Sequence, residues 1–211
     1  MRSNSDPGGQ KERTFIGAAR RAQIIAAAIE TIAEAGYAQA SLARIAQRIG
    51  ISKGALVYHF DSKEDLVKEV IREVLAKAGD YMVPRITAAA GGREKLRAYI
   101  DSNIGFMGEH RSYMIAMAEI ARGARDLSGN RTFDASSLEA GTVALAELLA
   151  RSQASGEFRG DFDPRVMAET IRAAIDAVPR RLAAKPDLDV DLYRRELAVL
   201  FDAATREVRT G

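Results

Sequence analysis

The stretch from Ser41 to Phe60 constrains this chain most strongly, because it holds two short helical patterns on either side of a single glycine. Ser41 can cap the first helix and Ser52 the second, since a serine side chain accepts a hydrogen bond from first-turn N–H groups. Gly50 ends the first helix, because glycine enters the left-handed region at little cost. The residues that can form a small apolar core between the two helices are Ile45, Ile49, Ile51 and Leu56.

The remainder of the 211 residues also predicts helices, so we expect an all-α fold. Alanine is abundant, proline occurs only five times, and no segment alternates apolar and polar residues as a strand would. Ser62 opens a long helix that we expect to kink or break at Pro84. Further helices are expected at about 93–109, 111–122, 134–154, 163–184 and 189–208. The predicted divisions are a flexible tail at 1–17, an N-terminal domain at 18–78 and a larger helical domain at 79–211.

Composition excludes several classes of site. The chain has no cysteine and two histidines, which argues against thiolate metal sites, cysteine nucleophiles and His-rich metal centres. No Ser-His-Asp order is compelling, and there is no Glu-x-x-His pair and no phosphate-binding glycine loop, since Gly91-Gly92 is a lone turn signal. We therefore predict no catalytic residues, no metal and no cofactor. Apolar runs are far shorter than the ~20 residues of a membrane span, and no signal-peptide core is present, so a cytoplasmic protein is expected.

The Ser41–Phe60 layout is that of a helix-turn-helix, whose second helix enters the DNA major groove. The outward residues Lys53, Val57 and Tyr58 could face DNA. Between residues 20 and 60 there are five basic residues against two acidic ones, which fits a DNA-facing surface. The alternative is a helical hairpin with an ordinary turn, in a helical adaptor or ligand-binding protein that does not bind DNA.

A longer string of residues resembles the N-terminal DNA-binding domain of the TetR (tetracycline repressor) family. The resemblance covers residues 18–78 and rests on Arg20-Arg21, Ile24, Ala28, Glu34-Ala35-Gly36-Tyr37, Ser41-Leu42, Ile45-Ala46, Gly50 to Leu56, Tyr58-His59-Phe60 and Ser62 to Leu66. It implies a repressor that binds palindromic operator DNA as a homodimer and is released by a small, lipophilic effector. The C-terminal two-thirds resembles the family only in the number and length of its helices.

The resemblance implies roles for single residues. Ser41 and Lys63 would hold phosphates, Arg44 would add a further phosphate contact, and the start of the second motif helix would approach base edges. Position 57 is Val where the family usually has Tyr, and an apolar Val57 could touch a thymine methyl group. The complete set of implied DNA contacts is Ser41, Arg44, Ser52, Lys53, Gly54, Val57, Tyr58, His59 and Lys63.

Family members bind an effector and dimerise through the C-terminal region, so we assign both roles there. The candidate pocket is Met82, Ile86, Phe106, Met107, Met114, Met117, Ile175 and Asp176, whose methionines could line an adaptable cavity or simply fill a core. Asp176 could meet a cationic ligand or pair with Arg172 or Arg180. The candidate dimer interface is Met167, Ile171, Val178, Leu192, Tyr193, Leu197, Leu200 and Ala204. The helix from Ser62 would transmit the effector's signal, with Pro84 as a pivot.

Overall fold

The computed structural model describes residues 7–123, 136–185 and 187–207, and within them the chain forms nine helices. The helices are α1 Pro7–Gln39, α2 Leu42–Arg48, α3 Lys53–Val57, α4 Lys63–Ala88, α5 Gly91–Glu109, α6 Arg111–Gly123, α7 Ser136–Ala154, α8 Pro164–Ala184 and α9 Val190–Thr205. The only extended pairing in the described ranges is an isolated bridge between Phe158 and Arg206. The predicted all-α fold is confirmed. No helix in these ranges is both long enough and apolar enough to cross a bilayer.

Three serines cap the starts of α2, α3 and α4, as the sequence predicts. The hydroxyl oxygen of Ser41 accepts a hydrogen bond from the Arg44 N–H at 3.2 Å, and that of Ser52 accepts from Ala55 at 3.1 Å. Ser62 caps α4 in the same way. Each bond joins residues three apart in the chain, which is why local sequence fixes these helix starts.

Helix α1 begins earlier than expected. Its helical backbone runs from Pro7, so part of the segment predicted as a tail belongs to the helix, and residues 1–6 lie outside the described residues. Proline suits a first helical turn because its missing N–H would have no partner there, which explains how a helix can start at this residue. At Gly36 the backbone leaves the helical region, with φ 80° and ψ 160°, and a last turn follows. The predicted stop at Gly36 is therefore a sharp bend.

Helix α4 continues through Pro84 to Ala88, so the expected break does not occur. Proline removes only one backbone hydrogen bond, and side chains add hydrogen bonds to neighbouring carbonyl groups of the helix. The Arg85 guanidinium donates to the Tyr81 carbonyl oxygen at 2.5 Å, and the Thr87 hydroxyl donates to that of Val83 at 2.8 Å. The domain connection is thus one uninterrupted helix.

The two domains share a continuous apolar core. Helix α1 packs against α2, α4 and, most extensively, α6, while α4 also packs against α5. In the C-terminal domain α8 lies on α6 and α7, and α9 lies on α5. Both α1 and α4 therefore connect the N-terminal helices to the C-terminal domain.

The Gly91-Gly92 pair has a packing role that its sequence did not reveal. The Glu157 carboxylate accepts a hydrogen bond from the Gly92 N–H at 2.7 Å, and this bond lowers the pKa of Glu157. A Cβ atom at position 92 would lie 1.8 Å from the Ser152 hydroxyl oxygen. The end of α7 therefore approaches the start of α5 this closely only because residue 92 has no side chain.

We expect Gly92→Ala to lower the free energy of unfolding by about 1–3 kcal/mol, because the added methyl group overpacks this contact. Thermal and urea unfolding would measure the change. Gly141→Ala in α7 is the matched control, since no atom lies within 4 Å of a Cβ there. Equal stability of the two variants would contradict the packing role of Gly92.

Candidate nucleic-acid interface

Helix α3 presents a continuous exposed face whose opposite side is buried. Leu56 and Phe60 are almost fully buried, whereas Tyr58 is 86% exposed and Val57 is 40% exposed. Ser52, Lys53 and Gly54, which begin this face, are also exposed. The structure thus brings the predicted contacts of the second motif helix together on one surface.

Arg21 holds the end of this surface to α1, a role that sequence reasoning missed. Its guanidinium lies over the Phe60 ring, 4.3 Å from the centroid, and donates a hydrogen bond to the His59 carbonyl oxygen. It also pairs with the Glu69 carboxylate of α4 at 3.5 Å. One side chain therefore joins α1, the residues after α3, and α4. The Arg20-Arg21 pair was visible in the sequence, but its partners lie 38 and more residues away.

Lys63, a predicted phosphate contact, also binds a group within the chain. Its ammonium donates a hydrogen bond to the Tyr37 carbonyl oxygen and lies 4.0 Å from the centroid of the Tyr37 ring. Burial in this position lowers the pKa of Lys63. Because an ammonium has three N–H donors, binding to Tyr37 leaves donors that can still reach a phosphate.

The basic residues around α2 are not equivalent. Arg48 forms a two-bond ion pair with Glu34, at 2.6 and 2.7 Å, which neutralises its charge. Arg44 and Lys53 are exposed and make no ion pair within the described ranges, and Ser41 is exposed at the start of α2. Arg44, Gln47 and Thr31 line a cleft of about 190 Å³ beside this pair. Around α2 and α3, the cationic groups available to a phosphate backbone are therefore Arg44 and Lys53, together with the partly engaged Lys63.

Seven of the eight residues of the predicted effector pocket belong to, or pack against, the apolar core that runs through both domains. Four are buried, namely Phe106, Met107, Met114 and Ile175, and three pack against the same core while partly exposed, namely Met82, Ile86 and Met117. That these residues line one pocket, and what they bind, stays a prediction.

Asp176 pairs with Arg172, one of the alternatives that its sequence position allowed. The Arg172 guanidinium donates to an Asp176 carboxylate oxygen at 2.5 Å, and to the Tyr99 hydroxyl and the Asn103 amide oxygen at 3.1 Å each. Burial raises the pKa of Asp176, and the charge of Arg172 partly offsets this effect. Tyr99 and Asn103 are themselves buried. A polar network thus joins α5 to α8 inside an apolar domain.

Two residues predicted at a dimer interface are wrongly assigned. Ile171 and Val178 are fully buried within the chain, on the side of α8 that faces its own domain. The helix is apolar on more than one side, and the sequence does not show which side faces inward. Leu192 and Leu200 are 45% and 56% exposed, and Met167, Tyr193, Leu197 and Ala204 are partly exposed. Val166, which sequence reasoning omitted, is 61% exposed, and Val199, an apolar residue of the same last helix as Leu192 and Leu200, is 68% exposed.

Comparison with known proteins supports the N-terminal assignment. Residues 24–70 match the family described as bacterial regulatory proteins, tetR family. The regulator BetI 1 of Chromohalobacter salexigens is 40% identical over 85 residues, which cover 40% of this chain and 42% of that protein. The chain thus spans less than half the length of this relative.

Two further comparisons extend over the C-terminal domain. The transcriptional repressor Rv1474c of Mycobacterium tuberculosis is 28% identical over 193 residues, which cover 91% of this chain and 94% of that protein. The structure of the regulator FadR from Bacillus subtilis in complex with stearoyl-CoA superposes with a TM-score of 0.73 at 24% identity, and it covers 86% of this chain and 97% of that one. This last likeness shows the fold.

We expect Arg21→Gln to lower the free energy of unfolding by about 1–2 kcal/mol, because the variant cannot form the contact with Phe60 or the ion pair with Glu69. Arg20→Gln is the control, since Arg20 is exposed and its one hydrogen bond within the described residues is to Gln23 in the next turn, and its change should stay within about 0.5 kcal/mol. Urea unfolding would measure both variants. A destabilisation as small for Arg21 as for Arg20 would show that Arg21 does not hold the helices together.

Proposed function

Because the chain belongs to the TetR family of bacterial regulatory proteins, we propose that it is a sequence-specific DNA-binding transcriptional regulator that acts as a homodimer and represses its target. The observation that carries this proposal is the exposed face of α3, formed by Lys53, Val57 and Tyr58 and supported from behind by Leu56 and Phe60. An adaptor without DNA binding would not require this surface.

In the proposed complex α3 lies in the major groove, as the second helix of such motifs does. Lys53 near the start of α3 would reach base edges or phosphate, and the Val57 methyl groups would contact a thymine methyl group. Arg44 and Lys63 would bind phosphates on either side of the groove. Because phosphate contacts carry no sequence information, specificity would rest on the few exposed residues of α3.

Selection of duplexes from a randomised DNA library by the purified chain tests this function. We expect a palindrome whose half-sites lie about one helical turn apart or somewhat more, because two-fold symmetry of the dimer would be mirrored in the DNA. No enrichment, or a single asymmetric half-site, would count against the proposal. The enriched sequence would serve as the operator duplex in later measurements.

We expect Lys53→Ala and Tyr58→Ala to weaken binding to the selected duplex by about tenfold or more, since each removes a contact of the recognition face. Arg97→Ala is the control for charge, because Arg97 is an exposed residue of α5 in the other domain. Fluorescence anisotropy at several salt concentrations would measure the affinities. Unchanged affinity in both α3 variants would place the DNA contact elsewhere.

The proposed dimer interface is the exposed apolar side of α9, extended by α8. Leu192, Val199 and Leu200 follow one stripe of α9 at helical spacing, and Val166 is exposed on α8. Exposed apolar side chains grouped in this way favour association with a second copy, and pairing two α3 helices would give the affinity that one lacks.

We expect the double variant Val199→Asp, Leu200→Asp to sediment as a monomer and to lose operator binding, because the interface would have to bury two carboxylates. Point variants are preferable to removal of α9, since Val190 and Phe201 are buried in the core. Val83→Asp, a change at an exposed valine of α4, is the control and should remain dimeric. A dimeric double variant would contradict the proposed interface.

The proposed effector is a small molecule with a long apolar portion. Support comes from the buried group of Phe106, Met107 and Met114, because methionine side chains can rearrange around different shapes. The B. subtilis regulator of similar fold was solved in complex with stearoyl-CoA, which supports an effector with an apolar portion. The pairing of Asp176 with Arg172 supports an effector whose recognition does not depend on a cationic group. Such a ligand would release the operator only by binding better to a conformation whose α3 helices are wrongly spaced.

A further inference from the structure

The end of α1 lies between the start of α4 and the end of α6, and Tyr37 contacts both. Gly36 bends the chain out of the helix with φ 80°, which places Tyr37 beyond the bend. On one side of Tyr37 is Lys63, near the proposed DNA surface, and on the other is Gly123, the last residue of α6. A side chain of the N-terminal domain thus lies against an element of the C-terminal domain.

On the α4 side, Tyr37 engages Lys63 through two groups. The Tyr37 carbonyl oxygen accepts a hydrogen bond from the Lys63 ammonium, and the same ammonium lies over the Tyr37 ring. A carbonyl at a helix C-terminus and the face of an aromatic ring both attract a cation. Tyr37 therefore fixes the position of the Lys63 charge relative to α1.

On the α6 side, the backbone of Gly123 lies so close to Tyr37 that only glycine fits at this position. A Cβ atom at position 123 would lie 2.9 Å from Cδ1 and 3.1 Å from Cβ of Tyr37. Because these atoms are near the backbone, the side chain cannot avoid the contact by turning its far end. Nearby, a Cβ at Gly36 would lie 3.3 Å from the carboxylate of Glu119, another residue of α6. A movement of the α6 end therefore changes its contact with Tyr37.

We propose that Tyr37 is a positioning residue through which the end of α6 controls how Lys63 is presented to DNA. The DNA part of this inference rests on the proposed function. The contact between α1 and α6, the most extensive between helices of the described chain, would then be a second connection between the two domains. The first is the one expected through α4 and Pro84. The connection through Tyr37 needs no change in α3 itself.

The first test requires no DNA. Reductive methylation of the lysines with ¹³C-labelled formaldehyde would give an NMR signal for Lys63, which Lys63→Arg would assign. We expect Tyr37→Ala to raise the pKa of Lys63 toward its ordinary value, because removal of the ring exposes the ammonium to water. Gly123→Ala should shift the Lys63 signal, and it should have no further effect when combined with Tyr37→Ala.

Gly79→Ala is the matched control, because this helical glycine of α4 has no atom within 4 Å of an added Cβ. Thermal unfolding and circular dichroism would establish that all variants fold. If the Lys63 NMR signal has the same chemical shift in Gly123→Ala as in Gly79→Ala, Tyr37 does not connect the end of α6 to Lys63 and the inference is wrong.

The second test uses the duplex enriched in the selection experiment. We expect Tyr37→Ala and Gly123→Ala each to weaken binding about threefold to tenfold, and the double variant to match Tyr37→Ala alone. The slope of log affinity against log salt should fall by about 0.9 for each phosphate group that the variant no longer binds. A purely structural role of Tyr37 would lower affinity without changing this slope, and that result would overturn the proposal. If no duplex is enriched but Lys63 responds as expected, the proposed function fails while the connection between α6 and Lys63 stands.

Discussion

The packing of the apolar side of α1 is the interaction on which the rest of the structure depends. Ile24, Ala28 and Ile32 are buried almost completely on one stripe of this helix. Burying an isoleucine side chain stabilises a protein by roughly 1.5–3 kcal/mol, so this stripe makes a large contribution for its length. Because α1 contacts α2 and α4 as well as α6, the same burial orders the recognition surface and attaches it to the C-terminal domain.

Positive charge in the N-terminal domain serves two purposes. Arg21 and Lys63 lie over aromatic rings and bind backbone carbonyl oxygens, so their charges hold helices in place. Arg48 is neutralised by Glu34. The basic excess of the sequence therefore overstates the number of charges free to face outward, which around α2 and α3 are those of Arg44 and Lys53. This division explains how a domain with a modest excess can be rigid and still attract a polyanion.

The C-terminal domain combines an apolar interior with one polar network. Arg172, Asp176, Tyr99 and Asn103 satisfy one another between α5 and α8. The Arg172–Asp176 ion pair is only partly buried and adds little net stability over apolar packing, but its geometry is demanding. The network therefore fixes how α5 and α8 face each other, next to the residues that we propose to hold an apolar effector. Methionines in the same region can adapt to a ligand while this network stays in place.

The sequence by itself determined the features that depend on residues three or four positions apart. The serine caps at Ser41, Ser52 and Ser62, the turn at Gly50 and the approximate spans of the helices were all predicted and are confirmed. The match of consecutive motifs at fixed spacing also sufficed to indicate the family. Local hydrogen bonds and helical periodicity are properties of neighbouring residues, which explains this success.

Only the tertiary structure decided which distant residues meet. It turned Lys63 toward Tyr37, placed Arg21 over Phe60, and closed the α7–α8 loop onto Gly92. It also buried Ile171 within its own domain, although the sequence allowed that residue to face a second copy. These outcomes depend on the angles at which helices cross and on how closely their backbones approach. Residues far apart in the chain set those quantities together, so no local pattern encodes them.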